Sequence, residues 1–164
     1  MQKTLKSFKG KRVFITGHTG FKGSWLAFIL QEIGAKVMGF ALPPQTEPNH
    51  FNLLDLKNKI SHVVGDIRDG GAMEKAMLNF KPEYVFHLAA QALVRQSYDD
   101  PVATITTNVV GSANLLEAVR KCDDVRSLVY ITSDKCYENE EWTWGYREND
   151  QLGGRDPYSA SKAA

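Results

Sequence analysis

The stretch from Val13 to Leu26 constrains the fold of this chain more than any other. It opens with an apolar run, Val13–Ile15, that is typical of a buried parallel strand, and it leads into a helix with apolar periodicity. Three glycines with the spacing G-x-x-G-x-x-G lie between them, at Gly17, Gly20 and Gly23. This order predicts a phosphate cradle, because the first N–H groups of the helix and its positive dipole end face the anion.

Each glycine of this turn has a predicted role. Gly17 allows a sharp turn, Gly20 removes a side chain where a pyrophosphate approaches the backbone, and Gly23 lets the helix press against the strand. The alternative is a tight turn that binds no ligand. The hydrophobic periodicity of a strand before the turn and of a helix after it favours the phosphate cradle. His18 is unusual in such a turn because its side chain is bulky. It has three possible interpretations: an additional contact to the anion, a partial obstruction of the phosphate site, or a solvated loop histidine.

Bulk composition indicates one soluble globular domain. The chain has 164 residues, of which 43% are hydrophobic and 24% charged, and its net charge of +1 gives no reason to expect binding to nucleic acid or a membrane. The basic start, Met1–Arg12, lacks the apolar core of a signal peptide, and no apolar run is long enough to span a bilayer.

The cysteines and the chain end add two expectations. Cys122 and Cys136 lack C-x-x-C spacing, which fits a reducing cytoplasm and argues against a disulfide framework or a metal site. The sequence stops at Ala164 inside a predicted helix that no Gly or Pro ends. We therefore expect residues 1–164 to be a truncated product.

Apolar runs and turn signals predict five strands that alternate with helices. The strands are expected at Arg12–Thr16, Lys36–Ala41, Ser61–Gly65, Tyr84–His87 and Arg126–Thr132. The helices are expected at Lys22–Ile33, Gly71–Phe80, from Pro101 to about Lys121 and from Pro157, with at most a short helix over Asn52–Lys59 and a loop over Glu138–Arg155. In the first helix, the apolar stripe is predicted to contain Trp25, Leu26, Ile29, Leu30 and Ile33.

This alternation predicts an α/β fold, a Rossmann-like doubly wound parallel sheet of order 3-2-1-4-5. Ligands of such sheets bind at the carboxyl ends of the strands. Asp66 and Ile67 follow the third strand, where the carboxylate could accept from an adenine amine and the isoleucine could pack on the ring. An ordinary helix N-cap is the alternative for Asp66, and both roles can hold.

The second strand lacks an expected signal. Dinucleotide-binding folds usually place an acidic residue there for the ribose hydroxyls, but this strand ends in Phe40-Ala41-Leu42. No arginine stands there to favour a 2′-phosphate, so NAD remains the better prediction. Together with His18, the missing acid suggests a loosely held cofactor, and a nanomolar dissociation constant for the full-length enzyme would contradict this.

A candidate proton-transfer pair lies beyond the fifth strand. Tyr158 and Lys162 are four residues apart in the last predicted helix and so share one face. A lysine ammonium beside a phenol favours the phenolate, so Tyr158 could act as a base although a free tyrosine titrates near pH ~10. The spacing alone is a weak signal, but it follows a serine, Ser133, at the end of the fifth strand of a glycine-turn domain.

Four motifs together resemble the sugar-nucleotide 4,6-dehydratases of the extended short-chain dehydrogenase/reductase family. They are T-G-H-T-G-F-K-G at the turn, H-L-A-A-Q-A-L-V-R-Q-S-Y after strand four, T-S-D-K-C-Y-E-N after strand five, and W-G-Y-R-E-N-D-Q-L-G-G-R-D-P-Y-S-A-S-K at the end. The finer resemblance is to the branch that uses CDP-glucose. It implies NAD-dependent dehydration of a sugar nucleotide by a homodimer or tetramer of the full-length enzyme. It also implies that residues 1–164 are an incomplete NAD-binding domain, truncated before the domain that carries most of the sugar-nucleotide site.

The resemblance also implies roles for individual residues. Tyr158 would take the proton of the glucose 4-hydroxyl, Ser133 would hydrogen-bond the sugar oxygen, Asp134 would be the acid for the departing water, and Lys162 would hold the ribose. The other cofactor contacts that it implies are Phe21 and Lys22 in the turn and Leu88, Ala89 and Ala90 after strand four. The implied substrate contacts are Gln91 and, in a T-N-x-x-G match, Asn108, whose amide braces the sheet more than it catalyses.

One departure from the better-known relatives is Lys135. The dTDP-glucose dehydratases have Asp-Glu where this chain has Asp134-Lys135, and the glutamate is their C5 base. Lys135 could be the C5 base, a phosphate contact or a surface lysine. The aromatic loop Trp142–Arg147 would form the rim of the sugar site or cover apolar core. A sugar-nucleotide epimerase or decarboxylase and a non-catalytic NAD-binding domain remain as rival functions.

Overall fold

The computed structural model describes residues 6–164 and confirms the predicted sheet. Five parallel strands, β1 to β5, form it in the order β3-β2-β1-β4-β5. The strands are β1 Arg12–Thr16, β2 Lys36–Ala41, β3 Ser61–Val64, β4 Tyr84–His87 and β5 Ser127–Tyr130. The predicted bounds of β1, β2 and β4 are therefore confirmed, and β3 and β5 are shorter than predicted.

Eight α-helical segments are described. They are α1 Phe21–Glu32, α2 His50–Leu53, α3 Leu56–Lys59, α4 Gly70–Phe80, α5 Val94–Asp99, α6 Pro101–Ile105, α7 Gly111–Arg120 and α8 Pro157–Ala163. A π-helical segment, Thr106–Val110, interrupts the long helix predicted after Pro101, and short 3₁₀ turns lie at Lys6–Phe8 and Asp134–Cys136. The described residues contain no helix with the length and hydropathy needed to cross a bilayer.

The chain divides into two compact units. The first contains the described residues up to Ala89 together with Asn114–Ile131, and it includes the whole sheet. The second contains Ala90–Ala113 and Thr132–Ala164.

Two apolar clusters cover opposite faces of the sheet in the first unit. Along β1, Phe14 belongs to one cluster and Ile15 to the other, as expected when successive side chains alternate between faces. The first cluster includes Met73 from α4 and Leu115 from α7, and the second includes Leu30 from α1. Helices therefore cover both faces, and each fully buried large apolar side chain contributes about 1.5–3 kcal/mol.

The predicted apolar stripe of α1 is partly wrong. Gly23, Ala27 and Leu30 form the buried face, whereas Trp25 and Ile29 are about two-fifths exposed. The reason is the close contact at Gly23, which fixes the rotation of the helix so that the i, i+4, i+7 positions from this glycine face inward.

Candidate functional site

The glycine turn of the first unit has the geometry that its spacing predicts. Gly17 has a φ of 75°, and a Cβ there would lie 2.7 Å from the backbone nitrogen of Ala89. A Cβ on Gly23 would lie only 2.1 Å from the carbonyl oxygen of Gly17. Both positions therefore exclude any side chain for reasons internal to the protein.

Gly20 differs from the other two glycines. A Cβ there would make only an ordinary contact, 3.4 Å from the carbonyl oxygen of Gly17. Gly20 is also the N-cap of α1, and no side chain caps this helix. The protein itself has room for a side chain at Gly20, so a group bound against the backbone gives a reason for its absence. Phe21 and Lys22 are exposed beside it.

Thr16 is a residue of this turn that sequence reasoning missed. Its Oγ1 accepts hydrogen bonds from the backbone N–H groups of Leu88 and Ala89, both at 3.2 Å. The same oxygen lies 2.6 Å from Nδ1 of His87. This side chain thereby ties the segment after β4 to the end of β1. A threonine at the end of a buried strand gives no signal of such contacts in the sequence.

His18 is buried, so its prediction as a solvated loop residue is wrong. The side chain is 0% exposed, its Nε2 lies 2.7 Å from Nδ1 of His62, and its ring makes an edge contact with Phe51. Burial, with the nearby His62, lowers the pKa of His18 from 6.5 to about 3. A neutral ring offers no positive charge to a phosphate, which argues against an ionic anion contact.

This ring occupies space that a glycine provides. A Cβ on Gly39 of β2 would lie 2.2 Å from Cγ of His18. The ring of His18 therefore lies against the backbone of β2 at Gly39. A ring buried against the sheet speaks against the interpretation of His18 as an obstruction in the turn.

Asp66 has a different structural role from the predicted N-cap. Its carboxylate accepts from the backbone N–H and the guanidinium of Arg68, at 2.9 Å for both N and Nε. Asp69 caps α4 instead, by accepting from the N–H of Ala72. The hydrogen bonds from Arg68 lower the pKa of Asp66, so the carboxylate is charged at neutral pH. Ile67 is 4% exposed within the core, which leaves little of its side chain for an adenine ring.

Two of the five candidate catalytic residues after β5, Asp134 and Lys135, line a cavity of the second unit, and Ser133, Tyr158 and Lys162 are not among its lining residues. Ser133 caps the 3₁₀ turn by accepting from the N–H of Lys135 at 3.2 Å, and its hydroxyl donates to Asp134 at 3.1 Å. Asp134 and Lys135 are exposed and line a cavity of about 430 Å³. Burial alone would raise the pKa of Asp156, another lining residue, but hydrogen bonds from Ser159 and the charge of Lys135 lower it.

The aromatic loop closes on itself beside this cavity. The rings of Tyr137 and Tyr146 stack with centroids 5.1 Å apart, and Trp142 contacts both Tyr146 and Trp144. Tyr137 and Leu152 form an antiparallel bridge at the base of the loop. Tyr137 lines the cavity and, of the predicted rim Trp142–Arg147, Tyr146 lines it as well. A sugar site at this rim stays a prediction.

Tyr158 and Lys162 lie on α8, which Asp156 caps. The carboxylate of Asp156 accepts from the N–H of Ser159 at 2.9 Å and from its hydroxyl at 2.6 Å. Tyr158 is 9% exposed, and burial lowers the pKa of Lys162. The confirmed start of the helix at Pro157 gives the two side chains the i, i+4 spacing that the pair requires.

Gln91 and Asn108 are engaged inside the second unit, which speaks against their predicted substrate contacts. The side-chain oxygen of Asn108 accepts a hydrogen bond from the N–H of Gln91 at 2.8 Å, and its Nδ2 donates to the carbonyl oxygen of Gln91 at 3.0 Å. The side chain of Asn108 is 3% exposed. The Gln91 amide bonds Thr104 and the backbone of Leu93. The Asn108 amide therefore holds the segment at Gln91 in place, and its hydrogen-bonding groups are occupied within the second unit. Ala90 is half-buried beside them.

The fold defines a class, the Rossmann-type α/β proteins with a parallel sheet of order 3-2-1-4-5. The model of the GDP-mannose 4,6 dehydratase family matches residues 14–164, and this chain belongs to that family. No group of three or more His, Cys, Asp or Glu residues that could hold a metal ion occurs among residues 6–164.

Individual relatives agree with this family. The chain is 54% identical to a CDP-glucose 4,6-dehydratase of Salmonella typhimurium over 155 residues. The alignment covers 94% of this chain and 43% of the relative. It is 32% identical to a dTDP-glucose 4,6-dehydratase of Xanthomonas campestris, over 92% of this chain and 45% of the relative. The chain thus spans less than half the length of these curated relatives.

Solved structures give the same fold. A UDP-glucose 4-epimerase of Thermotoga maritima, solved with UDP-glucose, matches with a TM-score of 0.80 and 28% identity, over 93% of this chain and 48% of that one. A UDP-glucose 4-epimerase of Thermus thermophilus in complex with NAD matches with a TM-score of 0.76 and 31% identity, over 93% and 47%.

Proposed function

We propose that this chain provides the cofactor-binding and proton-transfer residues of a NAD-dependent 4,6-dehydratase that converts CDP-glucose to CDP-4-keto-6-deoxyglucose. The observation that carries the proposal is the Tyr158/Lys162 helix beside an Asp134-Lys135 turn, in a chain 54% identical to a CDP-glucose 4,6-dehydratase. In this proposal residues 1–164 are the NAD-binding domain of a longer enzyme.

The residues present fit NAD. The turn from Gly17 to Gly23 leaves its backbone open at Gly20, and Asp66 carries the acceptor for an adenine amine. When bound, NAD supplies the hydride acceptor that oxidises C4 of the glucose and later returns the hydride to C6. The other steps are assigned to residues of this chain.

Tyr158 removes the proton of the 4-hydroxyl as the C4–H bond breaks. The resulting ketone acidifies the C5 proton, and loss of this proton with the 6-hydroxyl, as water, gives an enone. Asp134, in its protonated form, donates the proton to the departing hydroxyl, and Ser133, already bonded to Asp134, contacts the sugar oxygen. Lys135 is exposed at the same cavity as Asp134, where it serves as the C5 base or contacts phosphate. The group that takes the C5 proton gives a proton back to C5 when the hydride returns to C6, which completes the 4-keto-6-deoxy product.

The test uses a protein of the relatives' full length that contains this chain. CDP-, dTDP- and GDP-glucose are supplied with NAD, and the 4-keto-6-deoxy product is measured by its absorbance in alkali. We expect turnover to be fastest with CDP-glucose and to fall by about 10²–10⁴-fold in Tyr158→Phe, because the base is lost. Tyr98→Phe, at a tyrosine that is 63% exposed, is the control. A Tyr158→Phe variant as active as Tyr98→Phe would refute the assignment.

A sugar-nucleotide 4-epimerase is the second candidate, favoured by the match to UDP-glucose 4-epimerases. An epimerase uses a tyrosine base but needs no acid for departure of the 6-hydroxyl. Analysis of the same reactions by mass separates the two, because dehydration lowers the product mass by one water and epimerisation leaves it unchanged.

A further inference from the structure

The helix that carries Tyr158 and Lys162 is too short to hold its own position. Helix α8 contains seven residues, fewer than two turns. Isolated helices of this length are not stable in water, so tertiary contacts decide how the helix is rotated and where its side chains point. Asp156 caps its N-terminal end, as described above, and a second contact lies near its other end.

Ser161 makes that second contact. Its hydroxyl donates to the carbonyl oxygen of Tyr158 at 2.7 Å and accepts from Nδ2 of Asn108 at 2.8 Å. Ser161 is 4% exposed and Asn108 is 3% exposed, so water does not compete for these bonds. The serine lies between the two candidate catalytic residues in sequence and bonds the backbone of one of them.

Asn108 is itself fixed by its surroundings. It lies in the π-helical segment Thr106–Val110, and Ser112 donates to its carbonyl oxygen at 2.6 Å. Its side-chain oxygen accepts from the N–H of Gln91, and its Nδ2 also donates to the carbonyl of Gln91. Both protons of Nδ2 are therefore used, one for Gln91 and one for Ser161.

We infer that Asn108 and Ser161 form a positioning pair that sets the rotation of α8 and thereby the place of the Tyr158 phenol. The inference rests on the proposed function and adds Ser161, to which no role was assigned from the sequence. Neither residue of the pair reacts, since both side chains are occupied by internal hydrogen bonds.

The pair has a specific kinetic consequence. Without the hydroxyl of Ser161, α8 keeps its N-terminal cap but loses its bond to the π-helical segment, so Tyr158 samples wrong positions. Displacement of a reacting group by about 1 Å can reduce a rate by about 10²-fold. We therefore expect Ser161→Ala to lower kcat about 10–100-fold, with KM for the sugar nucleotide changed less than about twofold.

The experiment compares three variants of the full-length protein. Ser161→Ala removes the hydroxyl, and Ser161→Thr keeps it. Ser97→Ala is the matched control, because Ser97 is 0% exposed and its hydroxyl makes the same type of bond, to the carbonyl of Val94 three residues earlier. kcat and KM are measured for each, together with hydrogen exchange of the backbone amides of α8 that follow Pro157, residues 158–163.

The inference predicts that only Ser161→Ala loses kcat and exchanges faster over 158–163, and that Ser161→Thr recovers kcat. It is overturned if Ser161→Ala and Ser97→Ala have the same kcat, or if Ser161→Thr is as slow as Ser161→Ala. An unmodified protein that converts no sugar nucleotide would refute the proposed function instead. Hydrogen exchange alone would then test whether Asn108 and Ser161 position α8. Faster exchange in Ser161→Ala would support this role, and unchanged exchange would reject it.

Discussion

At the scale of single residues, the three glycines of the turn have different reasons for being glycine. Gly17 and Gly23 avoid clashes with the backbone of the protein itself, at 2.7 and 2.1 Å. Gly20 meets no such clash and instead leaves the backbone open at the N-terminus of α1. Substitutions at Gly23 and Gly20 can therefore separate stability from ligand binding.

Gly23→Ala is expected to lower the free energy of unfolding by about 1–3 kcal/mol or more, because its Cβ has to displace the backbone of Gly17. Gly20→Ala is expected to cost less than about 1 kcal/mol and still to weaken NAD binding. Urea unfolding and calorimetric titration with NAD measure the two effects. Equal stability losses, or an unchanged NAD affinity in Gly20→Ala, would contradict this explanation.

The buried histidine gives a prediction about pH. The folded protein holds the pKa of His18 at about 3, below the 6.5 of an exposed histidine. Between these values the unfolded chain binds more protons than the native protein, so stability rises with pH and is lost as the pH falls below about 6.5. His62, bonded to His18, has a lowered pKa as well and contributes in the same direction.

We therefore expect the melting temperature to fall between pH 6.5 and 4.5, and to fall less steeply in His18→Gln, which does not titrate. The linked free energy is on the order of a few kcal/mol for a shift of this size. Scanning calorimetry across this range measures it. Parallel curves for the two proteins would show that protonation of His18 does not control the acid stability.

At the scale of elements, α8 depends on its cap. Asp156→Ala removes the acceptor of both hydrogen bonds from Ser159 and is expected to cost about 1 kcal/mol, whereas Asp156→Asn keeps an N-cap acceptor and is expected to cost less. Hydrogen exchange over 158–163 and chemical unfolding report the loss. An alanine variant with the exchange rates of the asparagine variant would show that the cap does not hold the helix.

At the scale of the whole molecule, the 164-residue chain contains the residues that we propose for cofactor binding and proton transfer, but it spans only 43% of the length of the CDP-glucose 4,6-dehydratase that it resembles. We predict that it binds NAD weakly and converts no CDP-glucose by itself. Calorimetry with NAD and the alkaline absorbance of the product test this. Product formation by residues 1–164 alone would mean that these residues contain the complete sugar site.

The sequence was sufficient to predict the sheet order and the bounds of β1, β2 and β4, since apolar runs and turn signals are local patterns. The bounds of β2 and the start of α8 at Pro157 were predicted correctly. The buried face of α1 was not, because rotation of the helix is set by the contact between Gly23 and Gly17. The spacing of apolar residues shows that a helix is amphipathic. It does not show which packing contact sets the rotation of the helix about its axis.

The same distinction applies to the site. Glycine spacing and the i, i+4 pair are local patterns, so the sequence alone determined the tight turn before α1 and a helix that contains Tyr158 and Lys162. The burial of His18 against His62 and the bond from Asn108 to Ser161 join residues 44 and 53 positions apart, and only the tertiary structure decided them. A hydrogen bond between side chains far apart in the sequence has no characteristic residue spacing, because only the fold brings its two atoms together.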